Sequence, residues 1–215
     1  MPHDRYYHPE LTSPLTGDEH RHLFKVMRAH EGSTFELIDG RGTLATAQIT
    51  SIDKKSAHFT ITSKTHQDPP PQKTLIQSLI KQPKLELVVE KCTELGITDF
   101  IFFPAERSDR THLSENNIQR LRQISIAATK QSGRLYLPTF TIHSELLIPE
   151  NASYASLKGT LQNPTSIILI GPESGWSPTE ESLLASKCTS ILLSHNTLRA
   201  ETAAIVAATH LTAPQ

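Results

Sequence analysis

Two short runs in the last third of the chain combine residue types that can do chemistry. Gly171-Pro172-Glu173-Ser174-Gly175-Trp176 follows the apolar run Ser166-Ile167-Ile168-Leu169-Ile170, and Leu198-Arg199-Ala200-Glu201-Thr202-Ala203 follows Ser190-Ile191-Leu192-Leu193 and the loop Ser194-His195-Asn196-Thr197. Two glycines around a proline let backbone come close to a ligand, and the carboxyl end of a strand is where open α/β sheets bind small molecules. Arg199 carries a permanent charge able to hold a developing anion, and Glu173 or Glu201 is placed to accept a proton. Each carboxylate has an equally good structural reading, as a partner of Arg199 or of a helix N-terminus. Spacing alone leaves a ligand loop and a plain turn both open.

The elements that must position these residues are two strand-loop-helix units in tandem. The β-branched run ending at Ile170 is short enough to be a fully buried parallel strand. Ser177-Pro178-Thr179-Glu180 then starts a helix, with Ser as N-cap, Pro at the first helical position and Glu three residues after the cap. A second helix begins at about Ala200. Its Ala203, Ala204, Ile205, Val206, Ala207, Ala208 and Leu211 leave little polar face, which predicts burial on several sides and a homodimer interface formed with the helix Leu85 to Leu95.

Strands and helices alternate from Lys73 onward: strand Thr74 to Ile80, helix Leu85 to Leu95 stopped by Gly96, strand Asp99 to Phe103, helix Glu115 to Ser132 and a strand around Phe140. A short helix is predicted near Tyr154 to Leu161. This alternation means an α/β fold with a mostly parallel sheet. No G-x-G-x-x-G or P-loop follows any strand, so neither dinucleotide nor P-loop chemistry is supported.

The first segment reads differently. An irregular arm passes through Tyr6, Tyr7 and Pro9, and Thr16-Gly17-Asp18-Glu19 predicts a capping box before a helix striped by Leu23, Phe24 and Met27. Strands Thr34 to Ile38, Thr43 to Ile52 and Ala57 to Thr62, joined by Asp39-Gly40-Arg41-Gly42 and Asp53-Lys54-Lys55-Ser56, describe an antiparallel sheet or small barrel. The run Pro69-Pro70-Pro71 can join neither ladder nor helix, which sets the expected domains at 1–68 and 73–215.

Composition bounds the function. The 215 residues are 37% hydrophobic and 20% charged, an ordinary globular balance. No run is apolar enough for a membrane span, and Met1-Pro2-His3-Asp4-Arg5 lacks a signal-peptide core, so a cytoplasmic protein without membrane contact is expected. Cys92 and Cys188 have no C-x-x-C spacing and read as reduced packing residues. His20-Arg21-His22 lacks companions at zinc spacing, and no metal is expected. A net charge of −1 makes any nucleic-acid contact local. The candidate cations are Arg21, Lys25 and Arg28, then Arg107 and Arg110, then Arg120, Arg122, Lys130 and Arg134, each with a solvated-surface alternative.

Gly-Pro-Glu-x-Gly-Trp-Ser-x-x-Glu followed by Leu-x-x-x-x-Leu-Arg-Ala-Glu-Thr-Ala resembles the paired signature of the RsmE family, the small-subunit (16S) ribosomal RNA uridine-N3 methyltransferases of the SPOUT class. Glu90-Lys91-Cys92-Thr93-Glu94-Leu95-Gly96, Glu106-Arg107-Ser108, Gln131-Ser132-Gly133-Arg134 and His22-Leu23-Phe24-Lys25-Val26-Met27-Arg28 match in the family's order. The family usually has Gly where Ser174 and Ser194 stand and Ile where Thr197 stands. Ala127 and Lys130 replace common acidic residues. The resemblance implies a C-terminal trefoil-knot α/β domain, a smaller N-terminal PUA-like β-barrel that binds RNA, and a homodimer. It implies S-adenosylmethionine held by Ile170, Gly171, Pro172, Glu173 and Gly175 of one loop and Leu193, Ser194, Asn196 and Leu198 of the other. The expected partner is 16S ribosomal RNA or the small subunit, through Arg21, Lys25, Arg28, Arg107 and Arg134.

Methylating N3 of a uridine requires loss of a weakly acidic proton, at about 1.4 kcal/mol per unit of pKa mismatch. A charge-assisted hydrogen bond of roughly 1.5 to 3 kcal/mol offsets one to two such units. Arg199 is the expected donor, with Glu173 or Glu201 as a possible base. The alternative is a non-catalytic RNA-binding or ribosome-assembly protein that retains the fold while Ser174 and Ser194 spoil the cofactor loop. A small-molecule α/β enzyme has less support, for want of nucleotide fingerprints.

Overall fold

The computed structural model describes residues 5–213, so the reading of Met1-Pro2-His3-Asp4 lies outside the described residues. The chain divides into two compact units, one gathering residues up to Pro70 with Thr129–Leu137, the other Pro71–Ala128 and the chain from Pro138 on.

In the first unit β1 (Arg5–Tyr7), β2 (Thr34–Ile38), β3 (Thr43–Ile52) and β4 (Ala57–His66) form one sheet in the order β1-β2-β3-β4. β1 runs parallel to β2, and β2-β3-β4 are antiparallel. Alternate residues of β3, Ala45, Ala47 and Ile49, turn inward onto Tyr6, Leu15, Leu23 and Leu37. Both turns are built by an Asp. Asp39 Oδ1 accepts from the backbone N–H of Arg41 (2.8 Å) and Thr43 (3.0 Å), and Asp53 Oδ1 from those of Lys55 (2.7 Å) and Ser56 (2.9 Å).

Three readings of this unit are corrected. The arm through Tyr6 and Tyr7 is a strand, because β2 offers a free edge and Tyr6 buries its ring there. The Thr16 box does not close: Thr16 makes no side-chain cap bond, and Glu19, which should have completed it, instead accepts from Lys130 Nζ at 2.6 Å. The helix α1 (Gly17–Arg21) passes into a π-helical turn, His22–Val26, which rotates the stripe so that Leu23 is buried and Met27 is exposed.

The second unit is a six-stranded sheet in the order β10-β8-β9-β5-β6-β7, with every pairing parallel. Its strands are β5 (Thr74–Ser78), β6 (Asp99–Phe103), β7 (Thr139–Ile142), β8 (Ser153–Thr160), β9 (Ile167–Ile170) and β10 (Thr189–Ile191); its helices are α2 (Gln82–Leu95), α3 (Glu115–Ser132) as far as Ala128, α4 (Pro178–Lys187) and α5 (Ala200–Thr212). Both faces of the sheet centre are covered, which is why β5 is buried throughout and β9 and most of β6 are apolar. Leu75, Phe100, Ile168 and Ile170 face Leu85, Val88 and Cys92 of α2 and Ala204, Ala207 and Leu211 of α5. Ile76, Phe103 and Leu169 face Trp176 and Leu184. The small residues of α5 let it lie close on α2, where Cys92 Sγ reaches Ala204 O at 3.6 Å. Burial pushes the Cys92 thiol far up, so it stays an inert packing group. Gly96, at φ 108°, ends α2 in the left-handed conformation that a glycine accepts without strain.

The helix predicted at Tyr154 to Leu161 is a strand, β8. Backbone pairing to β9 and β10 decides it, although only Ser153 and Tyr154 pair with β9. β10 is also shorter than read, ending at Ile191. Among the described residues no helix is long and apolar enough to cross a membrane.

Candidate active site

β9 and β10 flank β8 and run in the same direction, so the loops leaving their carboxyl ends emerge side by side. Between them lies a cavity of about 420 Å³. All nine residues named from the sequence for the two loops line it: Ile170, Gly171, Pro172, Glu173 and Gly175 on one side, Leu193, Ser194, Asn196 and Leu198 on the other.

The first loop is held at several points. Gly171 lies against the indole of Trp176, where an added Cβ would stand 3.0 Å from Cε2. That indole stacks on Phe103 at 6.3 Å and donates from Nε1 to Ala155 O at 3.0 Å, so its position is held from two sides. Gly175 has φ +72° and its N–H closes a turn onto Pro172 O at 2.9 Å. Downstream, the capping box forms as read: Glu180 N donates to Ser177 Oγ at 3.0 Å and Ser177 N to Glu180 Oε2 at 2.9 Å. The other carboxylate oxygen of Glu180 accepts from Glu106 N at 2.9 Å, tying the helix start to the loop after β6. Among the described residues positive φ outside glycine is confined to Leu11, Arg28 and Asn151, so Ser174 and Ser194 stand where their side chains cost no backbone strain.

The sequence left Glu173 and Glu201 open as partners of Arg199. They partner Lys84 instead. Lys84 Nζ lies 3.2 Å from Glu173 Oε1 and 3.5 Å from Glu201 Oε2, and the hydrogen bond to Glu173 is the main reason its ammonium is held above the ordinary lysine value. Arg199 is exposed and makes no ion pair among the described residues. Lys84 escaped the sequence reading because it lies near the start of α2, far in sequence from either loop. Also missed was the wall from Ala155 to Lys158. Those residues leave the β8 ladder, since Tyr154 and Thr160 pair with the adjacent Ser190 and Ile191. Gly159 permits this, as a Cβ there would meet Ile191 C at 2.5 Å.

The five cations named for RNA have different surroundings. Arg107 lines the cavity and donates to Trp176 O at 3.2 Å and Ser174 O at 3.5 Å. Arg134 is half-buried, and desolvation lowers its pKa. Arg21 pairs with Asp18 at 3.0 Å, while Lys25 and Arg28 are exposed. Among the described residues no cluster of His, Cys, Asp and Glu has the makings of a metal site.

A sequence model of an RNA methyltransferase PUA domain matches residues 15–62, and one of an RNA methyltransferase domain matches 67–148 and 143–212. Ribosomal RNA small subunit methyltransferase E of Rickettsia conorii is 34% identical, over 90% of this chain and 86% of its own length. The same-named protein of Synechocystis is 31% identical, over 95% and 74%. Among solved structures, a probable rRNA-methyltransferase of Porphyromonas gingivalis superimposes with a TM-score of 0.84 at 27% identity, covering 98% of both chains. A ribosomal RNA small subunit methyltransferase E of Neisseria gonorrhoeae bound to S-adenosyl methionine does so with a TM-score of 0.80 at 27% identity, over 96% of this chain and 95% of that one. With an N-terminal PUA-like unit and a parallel-sheet α/β unit carrying the cavity, this chain belongs to the RNA methyltransferase family of the ribosomal RNA small subunit methyltransferase E proteins.

Proposed function

We propose that the protein methylates N3 of a uridine in 16S ribosomal RNA, using S-adenosylmethionine. The observation that carries this reading is the convergence of both signature loops on one cavity, with Arg199, which makes no ion pair among the described residues, following the second loop. About 420 Å³ is within the range of small-molecule sites. Its walls suit the cofactor: Ile170, Leu193, Leu198 and Ala203 give apolar surface for an adenine, and Ser156, Ser194 and Asn196 give hydrogen-bonding groups for ribose and amino acid. When bound, the cofactor supplies a methyl group already activated on a sulfonium sulfur.

The chain's own residues then have two tasks. The loops orient the reactants, and Arg199 holds the negative uracil oxygens as N3 loses its proton. Glu173 and Glu201 are both engaged by the Lys84 ammonium, at 3.2 Å and 3.5 Å, and neither is paired with Arg199 among the described residues. The N3 proton goes to solvent, and the pair serves to fix the first loop against the start of α5. Arg21, Lys25 and Arg28 are assigned to RNA phosphates, while Arg107 clamps the loop carbonyls. The half-exposed Val206 of α5, packed in neither the core cluster nor the cavity, supports a homodimer through that helix. Sedimentation at micromolar concentration tests it, with a compact monomer against it. A cytoplasmic location follows from the substrate.

The reading as a non-catalytic RNA-binding protein rested on Ser174 and Ser194, and their unstrained backbone removes its motive. Calorimetric titration with S-adenosylmethionine separates the two. Saturable binding is expected, and no binding at millimolar cofactor would overturn the methyltransferase reading.

A further inference from the structure

The first unit holds a second cavity, of about 490 Å³, that methyl transfer does not use. Tyr6 and Phe35 form its floor, their rings edge to face at 5.6 Å. Met27, Arg28, Glu36 and Thr46 stand around it.

The surroundings describe the occupant. Arg28 is kept at φ +51°, a conformation L residues avoid, while its guanidinium is exposed with no partner among the described residues. Strain kept at a non-glycine residue marks a side chain needed there. Beside it Val26 and Met27 are 64% and 43% exposed, apolar surface set between the cations Lys25 and Arg28. A single nucleic-acid strand presents that combination, flat apolar bases on an anionic backbone. Inside, Glu36 Oε2 takes the Arg5 Nε–H at 2.8 Å, and Arg5 Nη1 is fixed on Gly133 O at 2.7 Å. Glu36 Oε1 accepts nothing among the described residues. A carboxylate only accepts, so the matching base presents an amine. Uracil, whose one N–H lies between two carbonyl oxygens, is a poor match.

We propose that this cavity takes an unpaired, amine-bearing base of the RNA, adenine, guanine or cytosine and not uracil, with its amine on Glu36 and its phosphate on Arg28. The proposal rests on the RNA-substrate reading above and adds a recognition site distinct from the methylated uridine.

Fluorescence anisotropy of the full-length protein with labelled hexamers of adenylate, cytidylate and uridylate, without cofactor, tests it. Adenylate and cytidylate are expected to bind about tenfold tighter than uridylate, since a base without a donor leaves the part-buried Glu36 oxygen unpaired when it displaces water. Thr46→Leu, which fills the cavity without touching a charge, erases that preference. Arg28→Gly suits the left-handed backbone, so the melting temperature holds or rises while affinity for all three hexamers falls. Equal binding of the three by the unaltered protein, a preference that survives Thr46→Leu, or an Arg28→Gly variant that is less stable yet binds normally would overturn the proposal. If 16S ribosomal RNA is methylated while the hexamers are not distinguished, only this site fails. If neither hexamers nor ribosomal RNA bind while the cofactor does, the RNA-substrate reading fails with it.

Discussion

Glu201 Oε2 is buried, accepts no hydrogen bond of good geometry among the described residues, and has the Lys84 ammonium 3.5 Å away as its compensating charge. Because the same ammonium hydrogen-bonds Glu173, it ties the first ligand loop to the start of α5 through α2. Lys84→Met therefore leaves two carboxylates without their cation, and both melting temperature and cofactor affinity should fall. Adding Glu201→Gln should recover part of the melting temperature, since the buried charge is then gone. The pH dependence has a definite sign. The Lys84 pKa is raised in the folded protein, chiefly by its hydrogen bond to Glu173, so its contribution is complete below the ordinary value of 10.5 and is lost as pH rises through the higher folded value. The melting-temperature gap between the unaltered protein and Lys84→Met should stay constant through neutral pH and close only above that value. A gap that closes near neutrality would contradict the pairing.

Asp39 gives an acid-side counterpart in the first unit. Burial pushes its pKa up, but the N–H groups of Arg41 and Thr43 outweigh this and hold it below the ordinary 3.8. Its stabilisation is thus present above 3.8 and lost as pH falls through the lower folded value. Asp39→Ala should cost about 2 kcal/mol near neutrality, the scale of a hydrogen bond to a charged acceptor. Hydrogen exchange of the β2 and β3 amides at pH 7 and pH 3 measures it. An equal cost at both pH values would mean that turn geometry, not charge, is what the aspartate supplies.

Much of the parallel sheet was legible because its determinants are local. The strand Asp99–Phe103, the helix Glu115–Ser132 and the Ser177 to Glu180 box sit where the residues placed them. The failures have long-range causes. Glu19 was drawn from its box by Lys130, 111 residues away, and β8 is a strand because of partners its own sequence does not reveal. Lys84 meets Glu173 across 89 residues, a pairing set by the order of strands and not by any spacing. The loops themselves were legible because glycine, proline and the cap residues act on their own backbone, whereas the charges that steady them come from elsewhere.

Gly171→Ala tests the close approach of loop and indole. A methyl 3.0 Å from the Trp176 ring must displace it, and both Phe103 and Ala155 resist. Cofactor affinity should drop by about tenfold, as for a modest misplacement of a binding wall. The chain has one tryptophan, so its fluorescence reports the ring directly. Unchanged affinity and an unchanged spectrum would show that the loop has room the structure does not.

Arg199 makes no ion pair among the described residues, which separates a catalytic from a structural role. Arg199→Ala should leave melting temperature and cofactor affinity nearly unaltered and slow single-turnover methylation by roughly ten- to a hundredfold, the loss of one charge-assisted hydrogen bond. Raising the pH should partly rescue it, because solvent then removes the N3 proton more readily. Arg199→Lys should restore part of the rate, keeping the charge without the planar fork. A flat pH response together with weakened cofactor binding would return Arg199 to a structural role.

The most direct measurement incubates the purified protein with isotopically labelled S-adenosylmethionine and small subunits or 16S ribosomal RNA, and maps the label by mass spectrometry. The expected result is one labelled methyl group on N3 of a single uridine, absent when Arg199→Ala replaces the unaltered protein at short times. Label on another base, on ribose, or nowhere, from protein shown to bind the cofactor, would contradict uridine-N3 transfer.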